Sequence, residues 1–174
     1  MKMMLEETIE QLLRHYAAEL ACYREIHDLA AAGQDLCARE DLTAAAAWQK
    51  FTDILSRRAA AIATVAGTIG QRKTIEASLA QQLGLAQWDA ASLAAALHAA
   101  APSASSLQLA ALLSQIAALL QQISTLDRQT GQYLDTAQER LKGEMAQLRG
   151  WKRANGAYRP PGRQKEGYFV EHNR

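Results

Sequence analysis

The sequence predicts an all-α protein, an elongated antiparallel bundle of three long helices with two short helices inserted and a mobile C-terminal tail. Of its 174 residues, 36 are Ala and 23 are Leu, which are strong helix formers. Only 3 Pro and 10 Gly interrupt the chain. No stretch alternates β-branched or aromatic residues with polar ones for more than a few positions, so sandwiches, barrels and nucleotide-binding βαβ folds are excluded.

The first long helix is predicted from apolar residues that recur every three or four positions from Leu5 to Leu29. They draw one stripe along a helix of about 30 residues. We expect Gly33 and Asp35 to break or kink this helix. Asp41 is then the expected N-cap of the next one.

The second long helix has apolar residues at near-heptad intervals, with Arg58 at the one polar position. We expect it to end near Gly67 or Gly70, because glycine favours helix C-termini. Its apolar residues are Trp48, Phe51, Leu55, Ile62, Val65 and Ile69.

Two short helices are expected between residues 71 and 106. One begins at Thr74 and closes at Gly84, and the other begins at Asp89. Pro102, which has serines around it, stops the second short helix and allows a new helix to start.

The third long helix, from about residue 106, has the most regular pattern in the chain, an apolar a and d seam kept for about six heptads. The predicted domains are a helical bundle over 1–152 and a basic flexible tail over 153–174. The seam residues are Leu109, Leu112, Ile116, Leu119, Ile123, Leu126, Thr130, Tyr133, Ala137, Leu141, Met145 and Leu148.

Charge is unevenly distributed, although the net charge of +1 gives no general attraction to nucleic acid or membrane. Residues 149–174 hold seven basic and two acidic side chains, a net charge of +5, whereas residues 1–148 have a net charge of −4. The basic end is either a solvated terminus or an electrostatic arm for an acidic partner.

Sequence motifs for catalysis or metal binding are missing, so we expect no enzyme activity, no cofactor and no metal site. None of His15, His27, His98 and His172 has a second ligand at metal spacing. Leu141-Lys142-Gly143 matches part of a phosphotransfer motif, but Glu139 stands where that motif needs its histidine.

We also expect a reduced, cytoplasmic protein without membrane insertion. Cys22 and Cys37, 15 residues apart in one predicted helix, are about 22 Å apart and cannot pair. Glu6 and Glu7 stand where a signal peptide needs its apolar region, and no apolar run reaches the ~18 residues of a membrane span.

The third helix keeps its apolar seam past the point where the shorter helices end, so part of the seam has no predicted cover. Two alternatives stay open: the first helix or a second copy covers it, or an amphipathic target helix docks there. Met145 offers adaptable contacts and Trp151 an anchor. The candidate partner-binding residues are Tyr133, Leu134, Ala137, Leu141, Met145, Leu148 and Trp151.

The helix order, the run LDRQTGQYLDTAQERLKGEMAQLRG and the segment ANGAYRPPG resemble the flagellar export chaperone FlgN family. The resemblance covers most of the chain. It implies a cytoplasmic chaperone without ATPase activity that binds the C-terminal amphipathic helices of hook-associated proteins. The chaperone would prevent their premature assembly and deliver them to the flagellar type III export gate.

The resemblance also implies roles for particular residues. The family binds substrates through the C-terminal part of the chain, which here matches Tyr133 to Trp151. A tail tyrosine docks to the export gate in the family. Tyr158 stands in the matching place, although its context AYRPPG contains two prolines that depart from the family pattern, and Tyr168 is a second candidate.

A structural coiled-coil protein without an exported client is the alternative function. Such a scaffold would self-associate, for example as a homodimer, through the long seam. Concentration-dependent dimerisation that hides Trp151 would favour the scaffold, and a monomer with an exposed seam would favour the chaperone.

Overall fold

The computed structural model describes residues 2–157, and side-chain burial within residues 5–155. This part of the chain contains four α-helices and no strand, which confirms the all-α prediction. The predicted sites Tyr158 and Tyr168, and the tail from residue 158 onward, lie outside the described residues. The helices are α1 (Lys2–Arg39), α2 (Ala45–Gln82), α3 (Ala90–Ala100) and α4 (Ala104–Ala157).

The chain divides into two compact units, Met1–Asp135 and Thr136–Arg174. In the first unit, the largest apolar cluster joins the N-terminal half of α1 to the end of α2, to α3 and to the start of α4. Because this cluster joins the start of α1 to the end of α2, the two helices are antiparallel. Its fully buried members include Ile9, Leu12, Leu79, Leu93, Leu97 and Leu109.

Two smaller clusters continue the packing along α1, α2 and α4. Ile26 of α1 packs with Ala61 and Val65 of α2 and with Ile123 of α4. Farther along α1, Cys37 packs with Phe51, and Leu134 of α4 lies against this group. The part of α4 in the first unit therefore runs in the same direction as α1.

Arg58 fills the polar position predicted in the second helix, and it joins α2 to α4. Its Nη1 and Nη2 donate to the two carboxylate oxygens of Asp127, at 2.5 and 2.6 Å. Such two-point pairing fixes the geometry of both side chains. The polar residue in an apolar stripe is thus explained by its partner on another helix.

The two long N-terminal helices end later than predicted. α1 continues through Gly33 and Asp35 to Arg39. α2 continues through Gly67 and Gly70 to Gln82. The segment predicted as a separate short helix from Thr74 is thus the end of α2, and one short helix is inserted, not two.

Burial explains why these glycines do not end the helices. A glycine in a helix interior costs about 1 kcal/mol relative to alanine. Burying one leucine side chain contributes roughly 1.5–3 kcal/mol, and Leu79 and Ala80 beyond Gly70 are both buried in the main cluster. Gly33 lies against Phe51 of α2: a Cβ there would be 3.6 Å from the ring, which is ordinary contact.

Of the local signals at the other ends, Gly84 and Asp89 were predicted correctly and Asp41 was not. Gly84 follows the end of α2 with φ +68°, a left-handed conformation that glycine adopts without strain. Asp89 is the N-cap of α3, where its carboxylate accepts from Ser92 N at 2.7 Å. The prediction that Asp41 is the N-cap of the second helix was wrong: the N-cap of α2 is Ala44, and Asp41 accepts from Thr43 N in the turn before it.

Among residues 2–157, one helix is long and apolar enough in composition to cross a membrane. An 18-residue window within Ala104–Asn155 of α4 has a mean hydropathy of 1.5, and 17% of that window is buried. Core helices of soluble proteins pass the same test. Apolar residues of α4 pack against other helices of this chain, as Leu109, Ile116 and Ile123 do. The apolar run is also interrupted by polar residues, namely Gln108, Ser114 and Gln115.

We predict that Leu79→Ala lowers the free energy of unfolding by about 2–5 kcal/mol, because it leaves a cavity in the main cluster. The matched control is Leu55→Ala in the same helix, since Leu55 is 45% exposed. Its cost should be less than half as large. Urea denaturation followed by circular dichroism measures both, and equal costs would show that the end of α2 does not pack as described.

Candidate partner-binding surface

The predicted partner-binding residues differ in how far the structure exposes them. Leu134 packs against the cluster around Cys37, and Ala137 is half-buried. Exposure rises toward the C-terminus, from 40% for Tyr133 to 65% for Trp151. We call four residues of the second unit the C-terminal seam: Leu141 (41% exposed), Met145 (52%), Leu148 (58%) and Trp151.

The spacing of apolar residues changes where the second unit begins. From Leu109 to Ala137, the seam of α4 alternates steps of three and four residues. It then takes two successive steps of four, to Leu141 and to Met145, and one of three to Leu148. An 11-residue pattern of this kind follows a nearly straight or right-handed path, in contrast to the left-handed path of heptads.

The helix in the second unit has little of its own to stabilise it. Every side chain from residue 138 to 155 is exposed. Gly143 and Gly150 lie in its interior, with nothing within 4 Å of where a Cβ would be, and each costs about 1 kcal/mol relative to alanine. Two local ion pairs stabilise this helix by only about 0.5 kcal/mol each. They join Lys142 to Glu139 (2.7 Å) and Arg140 to Glu144 (3.5 Å).

This segment is therefore an apolar stripe on a marginal helix. Helices in proteins gain most of their stability by packing an apolar face against another element, and residues 138–155 bury none of theirs within the described chain. A partner that covers the C-terminal seam would bury apolar surface and order the helix in one step. This arrangement suits a surface for another helix better than a rigid pocket for a small molecule.

A second exposed apolar stripe lies on α2 in the first unit. Trp48, Leu55 and Ile62, which sequence analysis placed in one seam with Phe51 and Val65, are each about half-exposed, whereas Phe51 and Val65 are buried. The three exposed residues are seven positions apart. The apolar positions of α2 thus divide into a covered stripe and an open one.

A buried polar cluster between α1 and α2 was not predicted from the sequence. Arg72 Nε donates to the Glu19 carboxylate at 2.5 Å, and Arg72 Nη1 donates to Tyr16 Oη at 2.8 Å and to Glu76. Tyr16 also donates to Glu76, and the Arg72 guanidinium lies 4.4 Å from the centroid of its ring. Glu19 and Glu76 are each only 2% exposed.

Only the spacing of these residues could have signalled the cluster: Tyr16 and Glu19 are three apart, and Arg72 and Glu76 are four apart. Each pair shares one side of a helix. Burial, and then the hydrogen bond to Glu76, raise the pKa of Tyr16 well above its ordinary value. The tyrosine stays protonated and acts as a donor, which fits a structural role.

Within the described residues, no three His, Cys, Asp or Glu side chains cluster in a way that would hold a metal ion. No family model matches the chain, and no curated protein or solved structure matches it significantly.

We predict that Gly143→Ala with Gly150→Ala slows amide hydrogen exchange across residues 138–155, because each substitution favours the helix by about 1 kcal/mol. Exchange followed by mass spectrometry gives the readout. The matched control is Gly70→Ala in α2, which also meets open space and should leave exchange in 138–155 unchanged. Unchanged protection in the double variant would mean that the segment is already fully stabilised.

We predict that the free energy of unfolding falls as pH rises above about 10, the ordinary pKa of tyrosine. The raised pKa of Tyr16 means that the folded state holds its proton more tightly than the unfolded chain does. Its contribution is complete below that pH and is lost as pH rises toward the folded-state pKa. Urea titrations between about pH 8 and pH 11 should show a shallower fall for Tyr16→Phe; equal slopes would contradict the assignment.

Proposed function

We propose that this protein is a cytoplasmic chaperone of flagellar type III export, which binds the C-terminal amphipathic helices of hook-associated proteins. One observation carries the proposal: the C-terminal seam, from Leu141 to Trp151, is an apolar helix face that no residue of the described chain buries. The resemblance of the sequence to the FlgN family, through the run from Leu126 to Gly150, supports the same substrate class.

The proposed mechanism involves no bond chemistry. A client helix covers the C-terminal seam, and both helices become more ordered as apolar surface leaves water. Burial contributes about 25 cal/mol per Å², and the ordering of two marginal segments opposes it. Affinity is therefore moderate, as a cargo that must be released at the export gate requires.

The proposal also includes the finer architecture, which is an antiparallel arrangement of the three long helices followed by a C-terminal tail. Tyr158 or Tyr168 in that tail would dock to the export gate. The basic residues there fit an acidic site on such a partner. Nothing in the mechanism needs a nucleic acid, a cofactor or insertion into the membrane.

The stripe on α2 favours a second candidate function. Trp48, Leu55 and Ile62 present an open heptad stripe on the first unit, and a scaffold that self-associates needs a face of this kind. Analytical ultracentrifugation over a range of concentrations distinguishes the two functions. A dimer that lacks exported clients would establish the scaffold, and a monomer that binds them would establish the chaperone.

We predict that Leu141→Asp or Leu148→Asp abolishes client binding and leaves the helical content of the protein unchanged, because a buried carboxylate at the centre of the contact is costly. Ala154→Asp is the matched control, since it adds the same charge to the same helix outside both the C-terminal seam and its charged flanks. It should retain client binding.

The assay begins with affinity purification from the native cytosol, in which the full chain is compared with a chain that ends at Gln132. Each recovered hook-associated protein is then tested directly, by titrating a peptide of its C-terminal helix against the three Asp variants. Equal affinity of Leu141→Asp, Leu148→Asp and the unmodified chain would show that the C-terminal seam is not the client site.

A further inference from the structure

The two flanks of the C-terminal seam have different charges. Successive helix residues are about 100° apart, so the residues that follow Leu141 and Leu148 lie on one flank, and the residues that precede Leu141, Met145 and Leu148 lie on the other. Lys142 follows Leu141, and Arg149 follows Leu148. Arg153, four residues beyond Arg149, extends the same flank, which we call the basic flank.

The opposite flank is neutral. It contains Arg140, Glu144 and Gln147, each of which comes just before a seam residue. Arg140 and Glu144 pair with each other at 3.5 Å. The positive charge beside the C-terminal seam is therefore concentrated along one edge.

The charges of the basic flank are largely available for a partner. Lys142 donates to Glu139 at 2.7 Å, in an exposed pair of the kind that contributes little. Arg149 and Arg153 are exposed, and no ion pair within residues 2–157 engages either of them. Between residues 138 and 155, five basic and two acidic side chains give a net charge of +3.

We infer that the C-terminal seam selects amphipathic helices that have acidic residues along one edge, at the seven- and four-residue spacing of Lys142, Arg149 and Arg153. This inference rests on the proposed function and specifies its substrate class. Charged side chains beside an apolar seam determine which helices pair and in which orientation. An acidic edge would meet three positive charges, whereas a basic edge would be repelled by them.

An anionic membrane surface fits these residues less well than an acidic helix does. Glu144 lies between Leu141 and Met145, at the edge of the apolar face, where it would be pressed against lipid headgroups of the same charge. The basic residues also lie mainly to one side, whereas a helix lying on a bilayer gains from Lys and Arg spread across its polar face.

Two designed amphipathic peptides with the same leucine seam test the inference. One has Glu at three positions along one edge, spaced as in the basic flank, and the other has Lys at the same positions. Titration calorimetry with the full chain should show that the Glu peptide binds about tenfold more tightly, as expected for three exposed charge pairs. The preference should shrink at high salt, because salt screens exposed charges.

Charge reversal identifies the residues responsible. The triple variant Lys142→Glu, Arg149→Glu, Arg153→Glu should prefer the Lys peptide. The matched control, Arg57→Glu, Lys73→Glu, Arg128→Glu, makes the same change in net charge at exposed positions of the first unit and should keep the original preference. Equal affinity of the unmodified chain for both peptides would overturn the inference.

The outcomes separate this inference from the proposed function. If both peptides bind equally and Leu148→Asp abolishes both interactions, the C-terminal seam binds helices without charge selection, and only the inference fails. If neither peptide binds, the proposed helix-binding function fails as well. Binding to phosphatidylserine vesicles in place of both peptides would overturn the inference in favour of a membrane surface.

Discussion

The pairing of Arg72 with Glu19 and Glu76 is the constraint on which the arrangement of the first unit depends. Leu- and Ala-rich helix faces can pack in several registers at similar free energy, because their side chains are small and alike. A buried charge without its partner is far more costly than a poor apolar contact. Only the register that brings Arg72 to Glu19 avoids that cost, and it aligns α1 with α2 over their whole length.

The position of α4 follows from this alignment. Once α1 and α2 are in register, their apolar faces form one groove, to which Leu109, Ile116 and Ile123 of α4 are fitted. Arg58 and Asp127 then set the position of α4 along α2. Both polar contacts favour one register of helix packing over others. Side-chain shape alone does not select that register in a chain with few aromatic residues.

Local signals were the most predictable features of the fold. The cap at Asp89, the left-handed Gly84 and the stop at Pro102 depend on residues next to each other in sequence, so they could be predicted correctly. The ends of α1 and α2 depend on distant contacts, such as the burial of Leu79, which no local pattern reports. The buried polar cluster around Tyr16 and Arg72 was missed for the same reason, since its members lie on different helices.

The C-terminal seam likewise has features that the sequence predicted and features that only the structure reveals. Periodicity was sufficient to identify Leu141, Met145 and Leu148 as an apolar face, and the structure shows how far each is exposed. Periodicity could not reveal that Leu134 is partly covered, because that depends on where α1 and α2 meet. The exposed stripe on α2 was likewise hidden in a heptad pattern that looked like one continuous core.

Gly143 and Gly150 have a consequence for timing. A helix that is costly to form is also quick to fray, so a complex built on it dissociates sooner than one built on a rigid helix with the same contacts. The two glycines would therefore shorten residence time without changing which helices are recognised. In the proposed export function, a short residence time would let the protein release each cargo without consuming ATP and then bind the next.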